Sequence, residues 1–452
     1  MEKQILSLIE EKKYTRLREC LEELNPADIA LILEEAELKD LPVVFRILPK
    51  ELAAEVFVEM DRDLQQHLIE SFSNTELKDV LDELFMDDMV DIIDEMPAIV
   101  AKRILKQTDA KTRKMINQLL AYPDDSAGSI MTTEYVDLKK NMTVDEAFDH
   151  IREIGLDTET IYTCYVMDRG RHLLGIVTVK DLLLNPKTCI LSDIMDENII
   201  FANTLDDKEE VAGQFEKYDL MALPVVDKEN RLVGIITVDD VIDVIQEEAT
   251  EDIEMMAAIL PSEKSYLKTG VFATFKARIP WLMFLMISAT FTGAIISSFE
   301  GRLTKWMALI AFIPMLMGTG GNSGSQSSVT VIRCLSTGEI EFKDIWRVIW
   351  KELRVSVVCG LVLGIVNFIK LYLVDHLWLN NFDDGVYLTE MLAVSLTVVL
   401  VVIVAKLVGS VLPIVAKKLG ADPAVMASPL VTTILDAFSL LIYFSIATML
   451  LM

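Results

Sequence analysis

The feature that most constrains the fold is a series of apolar segments in the C-terminal part of the chain. Five stretches are long and apolar enough to cross a bilayer, which takes about 20 mostly apolar residues per helix: 279–299, 306–332, 355–374, 391–415 and 424–451. The composition agrees, since 52% of the residues are hydrophobic and the mean hydropathy is +0.37, which is high for a soluble protein. The sequence therefore predicts a transmembrane domain of five helices over 276–452.

The charges near these segments are sorted by side. Basic residues precede the first span, separate the second from the third and follow the fourth, whereas the loop after the third span is acidic (Lys264, Lys268, Lys276, Arg278; Arg333, Lys343, Arg347, Lys351, Arg354; Lys417, Lys418; Asp375, Asp383, Asp384). Because positive loops stay in the cytosol, we predict an integral protein of the plasma (inner) membrane with a cytosolic N-terminus and an external C-terminus. The amphipathic segment IEFKDIWRVIWKELR from Ile340 is predicted to lie along the inner membrane surface.

The front half of the chain is strongly acidic. Of 42 Lys and Arg and 70 Asp and Glu, only 15 and 12 lie in 261–452, so residues 1–260 carry 27 basic and 58 acidic side chains, a net charge of −31. Such a region favours polyvalent cations and argues against nucleic acid or anionic lipid as the main partner. A highly soluble acidic domain without a cation partner is the alternative.

The sequence contains no pattern typical of an enzyme. The five cysteines form no CxxC pair and the N-terminus lacks the apolar core of a signal peptide, so we expect a reduced, cytosolic front half. The four histidines form no HExxH or other zinc spacing. We therefore predict that the protein is not an enzyme.

The N-terminal residues 1–125 show helical periodicity interrupted by recurring helix starts. These starts, opened by prolines or capping residues, are NPADIALIL, PKELAAEVF, NTELKDVL and MPAIVAKRIL, spaced by 22 to 25 residues. The spacing predicts an acidic all-α domain of short helices stacked into a superhelix. In FMDDMVDIIDEMP, Asp87 and Asp91 are four residues apart and share one helix face. That pair indicates either a bound cation or a merely solvated acidic face.

An internal repeat follows. MDRGRHLLGIVTVKDLL at 167–183 recurs as VDKENRLVGIITVDDVI at 226–242, with the Gly, Thr and Asp positions 59 residues apart. This repeat resembles a tandem cystathionine-β-synthase (CBS) pair, which implies an α/β module over 126–246 that usually dimerises. The resemblance also implies that an adenine nucleotide such as ATP is a candidate ligand of the motif residues Thr178, Asp181, Thr237 and Asp240, although many CBS pairs bind nothing.

A charged helix leads from this module to the membrane. It reads VDDVIDVIQEEATEDIEMMAAIL and is crowded with acidic side chains that no bases compensate (Asp240, Asp243, Glu247, Glu248, Glu251, Asp252). A bare linker needs no such density. The sequence therefore favours a switch helix bridged by cations over a solvated connector, and 247–275 is predicted to be a connecting (plug) helix and its linker.

Asp436 is the carboxylate in the interior of the fifth predicted span. An ionised Asp at mid-bilayer costs about 3 kcal/mol on insertion scales, so such a residue generally faces a cavity or a partner. We predict that Asp436 lines a pore, with a buried pair to Lys370 or Lys406 as the alternative.

A polar, glycine-rich stretch, GTGGNSGSQSS, interrupts the second predicted span and contains Gly321, Asn322 and Gln326. It is expected to break or thin the helix and to expose backbone carbonyls, which lipid tolerates only beside a cavity or a closely packed helix. Close packing through the small residues is compatible with this role. Oxygen groups of this kind suit a hard, hydrated cation such as Mg2+, whereas a soft metal would require Cys, His or Met ligands.

Taken together, the acidic helical domain, the CBS pair, the charged helix, the five spans, GTGGNSGSQ and PLVTTILDAFSLLIYF resemble the MgtE family of Mg2+ channels over essentially the whole chain. The resemblance implies a homodimer in the lipid membrane, with a pore lined by the second and fifth spans. It implies that Asp436 is the pore aspartate and that Asp422 lies near its cytosolic mouth. Ser428 stands where the family is expected to have Asn.

The resemblance also implies regulation by the transported ion. Regulatory Mg2+ ligands are expected on the connecting helix and the CBS pair, with three N-terminal candidates (Glu248, Glu251, Asp252, Asp240, Asp243, Asp219, Asp207; Asp87, Asp88, Asp91). Plentiful cytosolic Mg2+ would bridge these carboxylates and shut the pore, and scarce Mg2+ would let them repel and open it. The alternatives are a transporter of Co2+, Mn2+ or Ca2+, and a membrane-anchored nucleotide sensor that conducts nothing.

Overall fold

The computed structural model describes residues 2–262, 266, 269–303, 307–376, 387–426 and 428–451. Lys264, Lys268, Asp383 and Asp384, on which the orientation prediction partly rests, lie outside these residues, as does the side chain of Ser428. The chain divides into two compact units, Met1–Ile245 and Gln246–Met452.

The first unit begins with a stack of short helices. They are α1 (Glu2–Glu10), α2 (Tyr14–Leu21), α3 (Pro26–Glu34), α4 (Leu41–Phe45), α5 (Lys50–Val58), α6 (Arg62–Ser71), α7 (Asn74–Leu81), α8 (Met86–Glu95), α9 (Ala98–Gln107) and α10 (Ala110–Leu119). The predicted starts are confirmed as α3, α5, α7 and α9, which pack on one another in succession. The start of α7 illustrates the local cause, because Ser73 and Glu76 form a capping box there.

Two similar α/β motifs follow. The first contains β1 (Tyr135–Lys139), α11 (Val144–Ile154), β2 (Thr160–Met167), β3 (Leu173–Thr178) and α12 (Val179–Leu184). The second contains β4 (Ala202–Asn203), α13 (Lys208–Tyr218), β5 (Ala222–Val226), β6 (Leu232–Thr237) and α14 (Val238–Met256). In each sheet the first two strands are parallel and the last two antiparallel. The sequence repeat is therefore a repeat of topology.

The two motifs and the helical stack share buried contacts. Tyr165 and Met167 of β2 form one apolar cluster with Leu232 and Ile235 of β6. The core of the helical stack continues into the second motif, where it ends on α14 at Val244. These contacts make residues 2–245 one folded unit.

The second unit contains five long helices: α15 (Val271–Leu303), α16 (Ile313–Ser336), α17 (Ile345–Lys370), α18 (Tyr387–Lys418) and α19 (Ser428–Leu451). Four stretches of the described chain are long and apolar enough to span a membrane: Val271–Phe299, Phe342–Val374, Leu388–Lys418 and Pro423–Leu450. Length and hydropathy therefore identify four candidate spans among the described residues, one fewer than the five predicted. The remaining helix, α16, has 24 residues, but its glycine-rich stretch makes it more polar.

The predicted break in α16 is wrong, because the helix runs without interruption through GTGGNSGSQSS. Its glycines serve close packing instead. A Cβ on Gly409 of α18 would lie 2.3 Å from the carbonyl oxygen of Gly324, and a Cβ on Gly324 would lie 2.0 Å from the side chain of Leu435 on α19. The α-helix satisfies its own backbone, so the small residues only have to let neighbouring helices approach.

The predicted surface helix from Ile340 is also corrected. Residues from Ile345 onward are the first turns of α17, which continues as one helix to Lys370. Trp346 and Trp350 are exposed on its outside. The amphipathic pattern thus belongs to the first turns of a long apolar helix, where exposed aromatic rings would favour a membrane interface.

Candidate functional site

Six carboxylates meet in the first unit, and we call them the junction cluster. Asp87 and Asp88 come from α8, Glu134 and Glu159 directly precede β1 and β2, and Asp239 and Asp240 open α14. Asp87 is buried, with 7% of its surface exposed.

The backbone brings the loop carboxylates to this position. Residue 132 is bridged to Ile235 of β6, with the amide of Thr132 donating to the carbonyl of Ile235 over 2.8 Å. This bridge places Glu134 beside the start of α14. The amide of Glu159 then donates to the carbonyl of Glu134 over 2.9 Å, because parallel strands β1 and β2 begin at the same edge of the sheet.

Burial and the charges of neighbouring carboxylates raise the pKa values of four members of the junction cluster, Asp87, Asp88, Glu159 and Asp240. Burial, followed by the charge of Asp240, raises the pKa of Asp88 to about 7 and that of Glu159 to about 8. Burial also raises the pKa of Asp240 to about 6, against a lowering hydrogen bond from Thr237, and the pKa of Asp87 is raised well above its usual range by burial and Asp240. The strongest charges acting on these groups belong to other carboxylates, so a cation bound near them would favour their ionised forms.

Three members of the cluster were not predicted from the sequence: Glu134, Glu159 and Asp239. The Oε2 atom of Glu159 is buried and has no hydrogen-bond partner, which is costly for a carboxylate unless a ligand satisfies it. Among the described residues no three His, Cys, Asp or Glu side chains converge into a ready metal shell. Carboxylates at this looser spacing fit an ion that keeps several of its waters, as Mg2+ does.

The other regulatory candidates of the first unit lie elsewhere. Asp91 is exposed, unlike Asp87 one turn earlier. Asp207 and Asp219 cap opposite ends of α13. The side chain of Asp207 accepts a hydrogen bond from the amide of Glu209, and the backbone of Asp219 adopts the left-handed conformation with φ 51°. Asp243 is exposed on α14, and its pKa is raised by partial burial and the charge of Asp239.

The Thr and Asp of each repeat motif bond to each other. Thr178 and Asp181 form a capping box at the start of α12. Thr237 Oγ1 donates to Asp240 over 2.6 Å at the start of α14. The two motifs differ in one respect, since Asp240 also belongs to the junction cluster, whereas the hydrogen bonds of the Asp181 carboxylate that the described residues show go to Thr178.

In the second unit the end of α14 lies beside the segment that precedes α19. Burial, followed by the charge of Asp422, raises the pKa of Asp252, while Ser336 and Lys417 oppose this rise. Asp252 accepts from Ser336 Oγ at 3.4 Å. Glu248 and Glu251, one turn or less away, are half-buried. The structure thus brings together Asp252 and Asp422, which sequence reasoning assigned to separate roles.

Within the apolar helices, polar groups gather on α16 and α19. Asn322 and Gln326 are exposed on one face of α16, and Asp436 is half-buried on α19. The two helices touch where a Cβ on Gly321 would lie 3.1 Å from Thr432, one turn before Asp436. Lys406 does not pair with Asp436, because its hydrogen-bond partner is Ser327.

Sequence profiles of known families match most of the chain. Residues 313–446 match a family described as divalent cation transporters. Residues 24–125 match the MgtE intracellular N domain, and 127–186 and 191–247 each match a CBS domain.

Characterised relatives match along almost their full length. The magnesium transporter MgtE of Thermus thermophilus is 37% identical over 439 residues, which cover 96% of this chain and 95% of the relative. The magnesium transporter MgtE of Bacillus subtilis is 34% identical and covers 98% and 96%.

Solved structures of two relatives match about half of this chain. One is the cytosolic domain of the Mg2+ channel MgtE in complex with ATP, 36% identical with a TM-score of 0.51, covering 54% of this chain and all of that one. The other is the soluble part of a magnesium transporter, 30% identical with a TM-score of 0.52, covering 55% and 98%.

Proposed function

This chain belongs to the MgtE family of magnesium transporters, and from that membership we propose that it carries Mg2+ down its electrochemical gradient through the C-terminal helices. The acidic N-terminal half senses cytosolic Mg2+ and closes the path. The membrane potential supplies about 2.3 kcal/mol per charge per 100 mV, which is enough to draw in a divalent cation.

The ion path follows the polar faces of α16 and α19. A bilayer does not tolerate exposed amides such as Asn322 and Gln326 unless they face a protein partner or a water-filled cavity. A second copy of the chain would cover these faces and enclose a lumen with Asp436 inside it. We therefore place α16 in the membrane as a fifth span and assign a homodimer, with Asp422 near the cytosolic mouth.

The observation that carries the regulatory part is the junction cluster. Its carboxylates come from the helical stack and from both CBS motifs, and burial together with neighbouring carboxylates raises the pKa values of Asp88, Glu159 and Asp240. Hydrated Mg2+ would neutralise them and hold the parts together. The pair of Asp252 and Asp422 supports a second site of the same kind on the connecting helix.

Mg2+ flux into proteoliposomes tests the path. We expect Asp436→Ala to abolish flux, while Asp243→Ala, an exposed carboxylate outside the membrane helices, leaves flux at low cytosolic Mg2+ unchanged. Flux that survives in Asp436→Ala would move the path elsewhere, and no flux in the native chain would favour a sensor that does not conduct. Competition by Co2+, Mn2+ and Ca2+ in the same assay distinguishes Mg2+ from the other candidate cargoes.

The same assay tests the feedback. Native flux is expected to fall as Mg2+ rises on the cytosolic face, and the double variant Glu251→Gln/Asp252→Asn is expected to need more Mg2+ for the same closure. Inhibition unchanged in that variant would remove the connecting helix from the sensor.

Adenine nucleotide binding at the CBS pair is a further part of the proposal, supported by the ATP complex of a relative. We assign the nucleotide to the first motif, Thr178 and Asp181, because the junction cluster around Asp240 would repel a triphosphate. Calorimetric titration with ATP is expected to lose its binding signal in Asp181→Ala. Binding that is lost only in Thr237→Ala would place the nucleotide at the second motif.

A further inference from the structure

A charged network lies inside the membrane domain, away from Asp436. Lys406 of α18 is 7% exposed, and its Nζ donates to Ser327 Oγ of α16 over 3.4 Å. Ser327, itself 2% exposed, donates to Glu352 Oε2 of α17 over 2.7 Å. One hydroxyl thus joins a cationic and an anionic side chain across three helices.

The surrounding packing keeps Lys406 and Ser327 from water, while Glu352 at the other end of the network is half-buried. Lys406 lies within the apolar stretch of α18, roughly 18 Å from its end at Lys418. One turn further along, Gly409 meets the backbone of α16 at Gly324. A charged side chain in such a place is costly unless a partner compensates it. Ser327 accepts a hydrogen bond from Lys406 and donates one to Glu352. Removing the charge of either Lys406 or Glu352 therefore leaves the other charge uncompensated.

We propose that Lys406, Ser327 and Glu352 form a relay that holds α16 at a fixed rotation against α17 and α18. Ser327 lies on the buried face of α16, whereas Asn322 and Gln326 lie on its exposed face, so fixing the first face fixes the second. Lys406 is therefore a positioning residue for the ion path. This role rests on the proposed function of α16, but the charge pairing itself does not.

The pairing is tested by thermal unfolding of the full chain in detergent. Glu352→Gln leaves the buried charge of Lys406 without its counterpart, and Lys406→Met leaves the half-buried carboxylate of Glu352 without its own. We expect both to lower the unfolding temperature, the first by about 5 °C or more. The double variant removes both charges and is expected to lose less than either single variant. If the unfolding-temperature shift of the double variant equals the sum of the two single shifts, the relay is refuted, whether or not the protein conducts Mg2+.

The positioning role is tested in the double variant by two measurements. The first is the rate at which maleimide labels Asn322→Cys in a chain whose native cysteines are replaced, and we expect the double variant to change this rate several-fold. The second is the ratio of Mg2+ flux to Mn2+ flux, which we expect to fall several-fold. Lys406→Arg should retain both native values. Ser395→Ala is the matched control, because Ser395 is also buried on α18 and hydrogen-bonds Asn367 of α17 over 3.2 Å without a charge.

A labelling rate in the double variant equal to that of the chain with native Lys406 and Glu352 would show that the relay does not position α16. Changed labelling with an unchanged flux ratio would overturn the link from that position to ion selection. Absence of Mg2+ flux in the native chain would refute the proposed function while the labelling and unfolding results still decide the relay.

Discussion

Replacing Glu159 by Gln should change stability with a sign and size that depend on pH and Mg2+. Burial, followed by the charge of Asp240, raises the pKa of Glu159 from its ordinary 4.5 to about 8. At pH 5 without Mg2+ the carboxyl is protonated in the folded chain, and this pH lies only about half a unit above its ordinary pKa in the unfolded chain, so Gln is a close neutral substitute there. We expect the unfolding temperature at pH 5 to stay within about 1 °C of the native value.

At pH 9 without Mg2+ the native carboxyl is ionised among other carboxylates. The raised pKa corresponds to at most about 5 kcal/mol at about 1.4 kcal/mol per pH unit, and screening of the half-exposed side chain reduces this to about 2 kcal/mol. Glu159→Gln should therefore stabilise the cytosolic part, by about 4–8 °C for a unit of this size.

With Mg2+ present the sign reverses. The native carboxylate gains from a cation that Gln cannot bind as well, so the Mg2+ concentration for half-maximal stabilisation should rise about tenfold, which corresponds to about 1.4 kcal/mol.

The assay is calorimetric unfolding of residues 1–256, which contain the part that matches a relative's solved cytosolic domain. Glu153→Gln is the matched control, because Glu153 is an exposed residue of the same motif. Equal shifts at pH 5 and pH 9, or an unchanged Mg2+ dependence, would refute the reasoning.

Three further predictions concern other parts of the molecule. Lowering the pH from 8 to 6 should raise the Mg2+-free stability of residues 1–256 and weaken their binding of Mg2+. The pKa values of Asp88 and Glu159 are about 7 and 8, so over this range the folded state takes up protons that the unfolded state does not. Calorimetry at each pH checks this, and a fall in Mg2+-free stability at pH 6 would contradict it. Asp252→Asn alone should raise the Mg2+ concentration that halves flux, because it removes one of the two neighbouring carboxylates that Mg2+ would bridge; a lowered value would contradict this. Gly409→Ala should destabilise the full chain in detergent by about 1–3 kcal/mol and so lower its unfolding temperature, because the added Cβ would lie 2.3 Å from backbone. Gly293→Ala is the control and should leave the unfolding temperature unchanged, because a Cβ there has no atom within 4 Å.

Much of the architecture follows from local patterns. Helical periodicity with capping residues locates α3, α5, α7 and α9, and the 59-residue repeat predicts two motifs of equal topology. These features can be read from the sequence because hydrogen-bonded turns, caps and apolar faces depend on residues only a few positions apart.

The glycine-rich stretch of α16 shows where local reading fails. Glycines and polar residues weaken a helix in isolation, so the sequence predicts a break. In the folded chain Gly324 meets both α18 and α19, and packing against these helices outweighs intrinsic propensity.

What the sequence alone determined is the order of the domains, the apolar helices and the excess of acidic residues before them. Only the tertiary structure decided which charges meet. Glu159 precedes a strand with no periodic signal, and it reaches Asp88 and Asp240 only because the strands and α14 are brought together. Lys406 and Ser327 are 79 residues apart and become partners only through helix packing. Burial and the distance between charges, which set pKa values and ion binding, are properties of the folded chain and not of any local segment.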